Sequence, residues 1–264
     1  MEMKFQLSYP DFDFSGRLHI LGINRILNET AGYHSFQLGY APEQLNPRGI
    51  SWVLGKFIIR FEAPMPTTTD RFSNYYTVKT WRSGIKDIIA YRDYELFDDN
   101  NNTRLAVARA DWILFDINKR VPLPLIDEIK NSYIDPIPPI VFDSSEFMSR
   151  IPIIDGEGDN RTTFKKDFTV NVSDIDGNLH ANNLSYLRWI LDPLPPEFLQ
   201  KHQMVSMKIT YAVEAKYNDN ISTVIELTKS DNDNDNDNPI TIHNIKRRAD
   251  NKILTYASIK WNLR

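Results

Sequence analysis

The sequence predicts an α+β protein with two β-α-β-β-β-β repeats in tandem, each an antiparallel sheet wrapped around one long helix. Three observations lead to this prediction. An Asp-containing segment occurs twice, a helical pattern with one apolar stripe follows each copy, and four β-rich runs follow each helix. One apolar helix face beside several half-buried strands is best covered when the sheet wraps around the helix. This arrangement is the hot-dog architecture, predicted here twice in one chain.

The repeated segment is Asp11–His19 in the first half and Asp174–His180 in the second, aligned with a two-residue gap so that the final histidines coincide. Apolar residues recur at helical spacing directly after each copy. In this alignment Arg17 stands where the second copy has Asn178. We therefore predict that only the second copy kept an active site.

Each half has one strand before its helix and four after it, because β-branched and aromatic residues dominate these runs. In the first half the predicted strands are Lys4–Leu7, Ser51–Glu62, Tyr75–Arg82, Ile88–Phe97 and Arg104–Phe115. In the second half they are Lys165–Val172, Met204–Ala215, Ser222–Lys229, Pro239–Arg248 and Lys252–Asn262.

Three regions are expected: a first repeat at 1–121, a linker at 122–161 and a second repeat at 162–264. The linker is rich in proline, which argues against a regular strand ladder, so we expect it to lie on the surface with one short helix near 125–133. The Asp/Asn tract at 231–238 is predicted to be an exposed hairpin tip. It lacks the glycine and the distal glutamate of an EF-hand calcium loop.

Composition excludes several classes of function. A net charge of −4 provides no basic field for DNA or RNA, so no nucleic-acid partner is expected. The absence of cysteine excludes disulfides, thiolate metal sites and cysteine nucleophiles, and it fits a reducing cytoplasm. The chain shows no signal peptide and no apolar window of the ~18 residues that suggest a spanning helix, so we expect a cytoplasmic protein without a membrane partner.

Motifs for several common chemistries are missing from the sequence. There is no Gly-x-Ser-x-Gly elbow and no complete dinucleotide fingerprint. The histidines show no His-x-x-x-His or His-x-His spacing, which argues against zinc. No metal or other cofactor is expected, and the best candidate for chemistry is the segment 174–183.

Within that segment Asp176, Asn178 and His180 alternate, so in an extended chain their side chains point to one side and converge. A helix predicted to start at about Ala181 adds unpaired N–H groups and the positive end of its dipole, which can polarise a carbonyl oxygen. The alternative is a capping cluster, because Asp and Asn are common at helix N-termini.

Glu214 is a second candidate, at the end of a predicted apolar strand. A buried carboxylate is costly unless it has a partner or a catalytic task. A structural salt bridge to Lys216 is the alternative that the spacing leaves open.

At these residues the chain resembles the acyl-acyl-carrier-protein thioesterases of plants and bacteria. The resemblance extends over essentially the whole chain, including the two repeats and the segment Trp52-Val53. One departure is that Ala215 stands where plant members have a cysteine, so a thiol nucleophile is excluded. The matched motif residues are Asp174, Asp176, Asn178, His180, Asn182, Asn183, Tyr186, Trp189-Ile190-Leu191, Tyr211 and Glu214.

The resemblance implies hydrolysis of the thioester between a fatty acyl chain and the carrier protein, which ends chain elongation. It implies that Asn178 and the N–H groups at the helix start bind the thioester carbonyl. His180 orients water or stabilises the leaving thiolate, with Glu214 or Asp176 as general base. Direct carboxylate attack through an anhydride remains an alternative.

The resemblance also implies where substrate binds. The acyl tunnel is expected in the first repeat, between the helix at 18–36 and the strand that carries Trp52, although core packing is the alternative role for this tryptophan. Asn182 and Asn183 are the other expected substrate contacts. The acidic carrier protein calls for a basic surface, for which the candidates are Arg161, Lys165 and Lys166, or Lys246, Arg247 and Arg248; solvated strand edges explain both groups equally well.

Two other functions stay open at this stage. The first is another hot-dog enzyme, such as an acyl-coenzyme A thioesterase or a hydroxyacyl dehydratase. The second is a non-catalytic acyl-binding regulator, which would not need Asp176, His180 and Glu214 together. The sequence leaves the preferred acyl chain and the formation of a homodimer undecided.

Overall fold

The computed structural model describes residues 1–133, 141–142, 149–154, 162–177, 180–228 and 238–264. The chain divides into two compact units, unit 1 at Met1–Met148 and unit 2 at Ser149–Arg264. Each unit contains the predicted β-α-β-β-β-β order. Among the described residues no helix is long and apolar enough to cross a membrane.

In unit 1 one long helix lies beside an antiparallel sheet with the strand order β1-β3-β4-β5-β2. Helix α1 packs on β3, and its buried face carries Ile23, Ile26, Leu27 and Ala31 at helical spacing. The elements are β1 (Glu2–Phe5), α1 (Ile20–Gln37), α2 (Pro42–Leu45), β2 (Ile50–Phe61), β3 (Tyr76–Lys86), β4 (Ile89–Asp98) and β5 (Thr103–Asp116).

The region expected to be a surface linker contributes regular structure and buried side chains to unit 1. Strand β6 (Val121–Leu123) pairs with β5, with Pro122 opposite Phe115. Proline fits there because β6 is a short outer strand, where its missing N–H removes no ladder bond. Helix α3 (Asp127–Asn131) follows and buries Ile129. The expectation of a linker without strand pairing is therefore wrong at β6.

Unit 2 repeats the arrangement with the strand order β8-β11-β10-β9-β7. Helix α4 buries Tyr186, Leu187, Trp189 and Ile190, and it ends before Pro193. The elements are β7 (Thr162–Thr169), α4 (Asn183–Leu191), α5 (Pro196–Lys201), β8 (His202–Tyr211), β9 (Asn220–Thr228), β10 (Ile240–Arg247) and β11 (Ile253–Leu263). The predicted tip at 231–238 falls, except for Asn238, outside the described residues.

The duplicated segment folds the same way in both units, but without the gap that we introduced. The N–H of Asp13 donates to the carbonyl of Arg17 at 2.8 Å, and the N–H of Asp176 donates to the carbonyl of His180 at the same distance. These turns have equal length, so the counterpart of His180 is Arg17. The alignment that paired the histidines with each other is wrong.

The helix starts support this ungapped correspondence. The N–H of His19 donates to the carbonyl of Asp11 at 3.1 Å, and the N–H of Asn182 donates to the carbonyl of Asp174 at 2.8 Å. His19 and Asn182 are the N-caps of α1 and α4. The first histidine therefore serves as a cap, with its Nδ1 accepting from the N–H of Leu21 at 2.9 Å.

His243 on β10 predicts a pH dependence of stability. Its ring is buried, with Nδ1 3.1 Å from the carbonyl of Ile190 and Nε2 2.7 Å from Thr241 Oγ1. Burial lowers the pKa of His243 to about 3. The unfolded chain binds a proton below pH ~6.5 while the folded chain stays neutral, so this residue lowers the free energy of unfolding as pH falls from ~6.5.

Other groups with shifted pKa values titrate in the same range. Burial lowers the pKa of His34 to about 3, and burial raises the pKa of Asp111 to about 7, an effect of opposite sign. We therefore expect His243→Gln to remove part of the acid destabilisation. Between about pH 6.5 and 4, the free energy of unfolding of the variant should fall by several kcal/mol less than that of the wild type. Urea unfolding across this range measures the effect, and parallel curves for the two proteins would contradict it.

Candidate active site

Two of the predicted site residues meet in unit 2. His180 Nε2 lies 3.2 Å from Glu214 Oε2, within hydrogen-bonding distance. Their side chains are 19% and 28% exposed, so both groups are partly accessible from solvent. One residue precedes α4 and the other follows β8, so only the fold brings this imidazole and carboxylate together.

A tight turn at Asp176–His180 presents the imidazole. The N–H of Asp176 donates to the carbonyl of His180 at 2.8 Å, and the N–H of His180 lies 3.4 Å from Asp176 Oδ1. The segment from Asp176 to His180 is therefore closed on itself, and the prediction that it is extended is wrong. Asp176 is exposed and contacts the backbone of its own turn. Asn178 lies outside the described residues.

The backbone of Ala215 holds Glu214 next to the start of α4. The N–H of Ala215 donates to the hydroxyl oxygen of Tyr186 at 2.6 Å, and its carbonyl accepts from the N–H of Ala181 at 3.1 Å. Strand β8 ends at Tyr211, so Glu214 lies in the following loop rather than at the end of a buried strand as expected. The structure pairs this carboxylate with the histidine.

Tyr186 is a positioning residue that our functional assignment missed. It lies on α4, is buried, and contacts the rings of Tyr211 and Trp189 edge-on at centroid distances of 5.5 and 5.2 Å. Burial raises the pKa of its phenol, so the group stays neutral. The sequence signal was its place in the matched motif, but spacing alone does not show that its hydroxyl reaches Ala215.

A buried carboxylate anchors the beginning of the site segment. Asp174 is fully buried and bonds to Arg188 on α4; it also accepts from Ser185 Oγ at 3.0 Å and from the N–H of Asn171 at 2.8 Å. Such a pair must keep its partners, since an uncompensated buried charge is costly. It belongs to the architecture around the site.

Unit 1 contains the same anchor. Asp11 receives two hydrogen bonds from Arg25, at 2.8 and 2.6 Å, and one from the N–H of Ser8 at 2.8 Å. Burial raises the pKa of Asp11, but the bonds from Arg25 and Ser8 outweigh it and hold the pKa below its ordinary value. The sequence could have indicated these pairs, because Asp11 and Arg25 have the same separation along the chain as Asp174 and Arg188.

Unit 1 also contains a cavity of about 200 Å³ between α1 and the sheet. Aromatic and aliphatic side chains make up most of its wall, a composition typical of sites for apolar ligands. Its lining includes Ala31, Leu38, Tyr40, Trp52, Ala90, Trp112, Ile129 and Tyr133.

The family follows from the match along the chain. The model of the acyl-ACP thioesterase N-terminal domain matches residues 1–133, and that of the acyl-ACP thioesterase C-terminal domain matches residues 157–263. The chain belongs to the acyl-ACP thioesterase family. The resemblance stated from the motifs is confirmed.

Plant thioesterases are among the relatives in sequence. A chloroplastic palmitoyl-acyl carrier protein thioesterase of Cuphea hookeriana is 27% identical over 189 residues, which cover 70% of this chain and 42% of the relative. A chloroplastic oleoyl-acyl carrier protein thioesterase of Coriandrum sativum is 22% identical over 249 residues, which cover 83% of this chain and 62% of the relative. This chain therefore spans less than two thirds of these relatives.

Solved thioesterase structures share the fold. The 12:0-ACP thioesterase of Umbellularia californica superposes with a TM-score of 0.85 at 17% identity, covering 100% of this chain and 94% of that one. An acyl-ACP thioesterase of Bacteroides thetaiotaomicron has a TM-score of 0.77 at 21% identity, with 99% and 97% covered. The predicted tandem hot-dog fold is confirmed.

The three substrate contacts expected from the thioesterase resemblance lie in two places. Trp52 lines the unit 1 cavity and donates from Nε1 to the carbonyl of Tyr40 at 2.9 Å. Asn182 caps α4: its Oδ1 accepts from the N–H of Ser185 at 2.9 Å, and its amide nitrogen donates to the carbonyl of Asp174 at 3.1 Å. Asn182 is therefore the N-cap of α4, as the alternative of a capping cluster predicts. Asn183 is the first helical residue.

Proposed function

We propose that this chain hydrolyses fatty acyl-carrier-protein thioesters and releases free fatty acid in the cytoplasm. The observation that carries the proposal is the contact of 3.2 Å between His180 Nε2 and Glu214 Oε2 beside the N-terminus of α4. A carboxylate, an imidazole and a helix N-terminus are the groups needed to activate water, protonate a thiolate and stabilise an oxyanion.

In the proposed reaction Glu214 accepts a proton from water as the water oxygen attacks the thioester carbonyl carbon. The N–H of Ser185 is occupied by the Asn182 cap, so the N–H groups of Asn183 and Leu184, which begin α4 and lack intrahelical partners, are the ones proposed to stabilise the charge that develops on the carbonyl oxygen. The carbon–sulfur bond then breaks, and the departing thiolate takes a proton from His180. We assign Asn178 to the carbonyl oxygen as well, on the family motif.

Glu214 is the stronger candidate for the base than Asp176, because it contacts the imidazole while Asp176 is exposed in the turn. Attack of Glu214 itself on the thioester, through an anhydride that water then opens, uses the same residues. Hydrolysis in ¹⁸O water under single turnover identifies the anhydride route when water opens the anhydride at the Glu214 carbonyl carbon, since only that route places label in the Glu214 carboxylate.

The unit 1 cavity is the proposed binding site for the acyl chain. Its wall is largely aromatic and aliphatic, and Trp52 contributes one side. Each buried methylene contributes ~0.8 kcal/mol to binding, so the depth of such a cavity selects chain length. We propose that Asn182 and Asn183 lie at the thioester end of the substrate. Asn182 acts there by capping α4.

For the carrier protein we propose docking on β7, where Lys165 and Lys166 are exposed on an edge strand. The second basic group, at 246–248, is less suited to bind an acidic partner because two of its charges are already paired. Arg247 pairs with Asp219 and Asp250, and Arg248 pairs with Asp167. Arg161 lies outside the described residues.

The proposed function is tested by thiol release from carrier-protein thioesters of graded chain length, compared with the matching coenzyme A esters. Release from the carrier-protein esters that is lost in His180→Ala supports it. Release from coenzyme A esters alone indicates the rival acyl-coenzyme A thioesterase. No release from either ester, with tight binding of acyl chains, indicates an acyl-binding protein.

A substitution at Gly32 tests the location of the acyl site. Gly32 on α1 lines the cavity, and a Cβ there would meet no atom within 4 Å. We expect Gly32→Leu to shorten the preferred acyl chain, with about a fourfold loss of kcat/KM for each methylene excluded from the cavity. The folded state should not suffer, because glycine is a poor helix former.

The measurement is kcat/KM across the chain-length panel. The matched control is Gln37→Leu, which adds the same side chain on an exposed part of α1 outside the cavity wall. An unchanged chain-length profile for Gly32→Leu would place the acyl site elsewhere.

A further inference from the structure

Two arginines line the otherwise largely apolar cavity of unit 1. Arg82 lies on β3 and Arg92 on β4, and both face the cavity together with Ser35 of α1. Arg92 is only 6% exposed. A guanidinium group remains charged in proteins, so the cavity holds positive charge beside its aromatic walls.

The contacts of Arg92 are all with neutral groups among the described residues. Its Nη1 donates to His34 Nδ1 at 2.9 Å and lies 3.3 Å from Thr80 Oγ1, and its Nη2 donates to Ser35 Oγ at 3.2 Å. Burial first, and the charge of Arg92 next, lower the pKa of His34 to about 3. The imidazole is therefore neutral and supplies hydrogen bonding without compensating charge.

Arg82 has a similar environment. It donates to the hydroxyl and the carbonyl of Ser132, and its guanidinium carbon lies 4.5 Å from the centre of the Tyr133 ring. In the described part of the chain no carboxylate forms an ion pair with Arg82 or Arg92. Burial lowers the pKa of both groups, and Arg92 adds to the effect at Arg82.

A buried charge that none of the described residues compensates is unfavourable unless another group offsets it. Removing a guanidinium group from water costs several kcal/mol, which only an opposite charge or good acceptors offset. Three of the five N–H donors of Arg92 are used by the contacts with described residues, so two remain to serve a bound molecule. A plain alkyl chain offers no acceptor for them.

We propose that the acyl chain bound in this cavity carries an oxygen group that accepts hydrogen bonds from Arg82 and Arg92. The class comprises acyl chains with a hydroxyl, oxo or carboxylate substituent. A carboxylate fits best, because it balances the charge and matches the fork of a guanidinium group. This inference rests on the proposed thioesterase function and adds the chemical class of its substrate.

The test uses four carrier-protein thioesters of equal chain length: octanoyl, 3-hydroxyoctanoyl, 3-oxooctanoyl and suberoyl, which ends in a carboxylate. A hydrogen bond to a charged group contributes ~1.5–3 kcal/mol, so at least one oxygen-bearing ester should exceed octanoyl by ~10-fold or more in kcat/KM. In Arg92→Met this ratio should fall toward one.

The inference would be overturned if octanoyl were hydrolysed as well as or better than every oxygen-bearing ester, and if Arg92→Met left the ratio of their kcat/KM values unchanged. That outcome would leave the thioesterase function intact. No hydrolysis of any ester would instead overturn the proposed function. Arg92→Lys keeps the charge but loses the fork, so it should retain part of the preference. If Arg92→Met does not fold, the half-buried Arg82→Met carries the same comparison.

Binding of small ligands provides a readout that does not need turnover. At matched concentrations monomethyl suberate, which has a free carboxylate, should raise the melting temperature of the wild type more than methyl octanoate does, because it binds the folded state more tightly. In Arg92→Met the two ligands should give similar shifts. An identical shift from both ligands in the wild type counts against the inference.

Discussion

Glu214→Gln is expected to lower kcat/KM for thioester hydrolysis by about 10²–10⁴-fold. The amide keeps the size of the side chain and its place next to His180, but it cannot accept a proton from water. Because Glu214 is 28% exposed and lies in a loop, the melting temperature should stay close to that of the wild type. Steady-state thiol release and a thermal melt on the same preparation measure both quantities.

His180→Ala removes the other half of the pair and should produce a loss of the same order. The matched control is Arg17→Ala, because Arg17 occupies the equivalent position of the turn in unit 1, where no catalytic role is proposed. Full activity in folded Glu214→Gln would remove the general base from the mechanism. Loss of structure in that variant would mean that the carboxylate is architectural instead.

Asp174→Ala is expected to destabilise unit 2 by about 3 kcal/mol, the lower end for breaking a buried ion pair. The carboxylate is fully buried and holds Arg188, Ser185 and the N–H of Asn171. The lower end applies because Arg188 is 43% exposed and can turn to water when its partner is removed. Activity should also fall, since the segment that carries His180 begins at this anchor.

Urea or thermal unfolding measures this loss. The matched control is Asp167→Ala, which breaks the ion pair with Arg248. Both side chains of this pair are more than half exposed, Asp167 at 55% and Arg248 at 60%. Such a surface pair contributes ~0–1 kcal/mol. Equal stability changes for the two variants would show that the buried carboxylate contributes no more than the exposed one.

Asp11→Ala separates architecture from catalysis. It removes the equivalent anchor of unit 1, where Arg25 is the partner, and it leaves His180 and Glu214 unaltered. Comparing it with Asp174→Ala assigns the stability effect to the repeated anchor and any additional loss of activity to the site segment in unit 2.

The element order could be predicted because its causes are local. Helix α1 shows its apolar residues at a spacing of three and four, and the strands alternate or carry β-branched runs, so short windows of sequence contain the signal. The predicted strands Ser51–Glu62 and Ser222–Lys229 differ by one or two residues from Ile50–Phe61 and Asn220–Thr228. Element ends depend on hydrogen bonds to neighbours and are less local.

The alignment of the two repeats illustrates where sequence comparison failed. Matching histidine to histidine required a gap, yet the backbone bonds of each turn require equal lengths from Asp11 to His19 and from Asp174 to Asn182. Residue identity changed between the copies while the hydrogen-bonded geometry stayed the same. The geometry therefore determines which positions correspond.

By itself the sequence determined the tandem hot-dog repeats, the family, and the residue types available for chemistry, among them His180 and Glu214. Tertiary structure decided which of them meet: the imidazole of His180 contacts Glu214, and the backbone N–H of His180 lies near the Asp176 carboxylate. It also placed Arg82 and Arg92 in one cavity. The physical reason is that helical and strand patterns depend on near neighbours, whereas contacts between distant segments depend on how loops close and how strands pair.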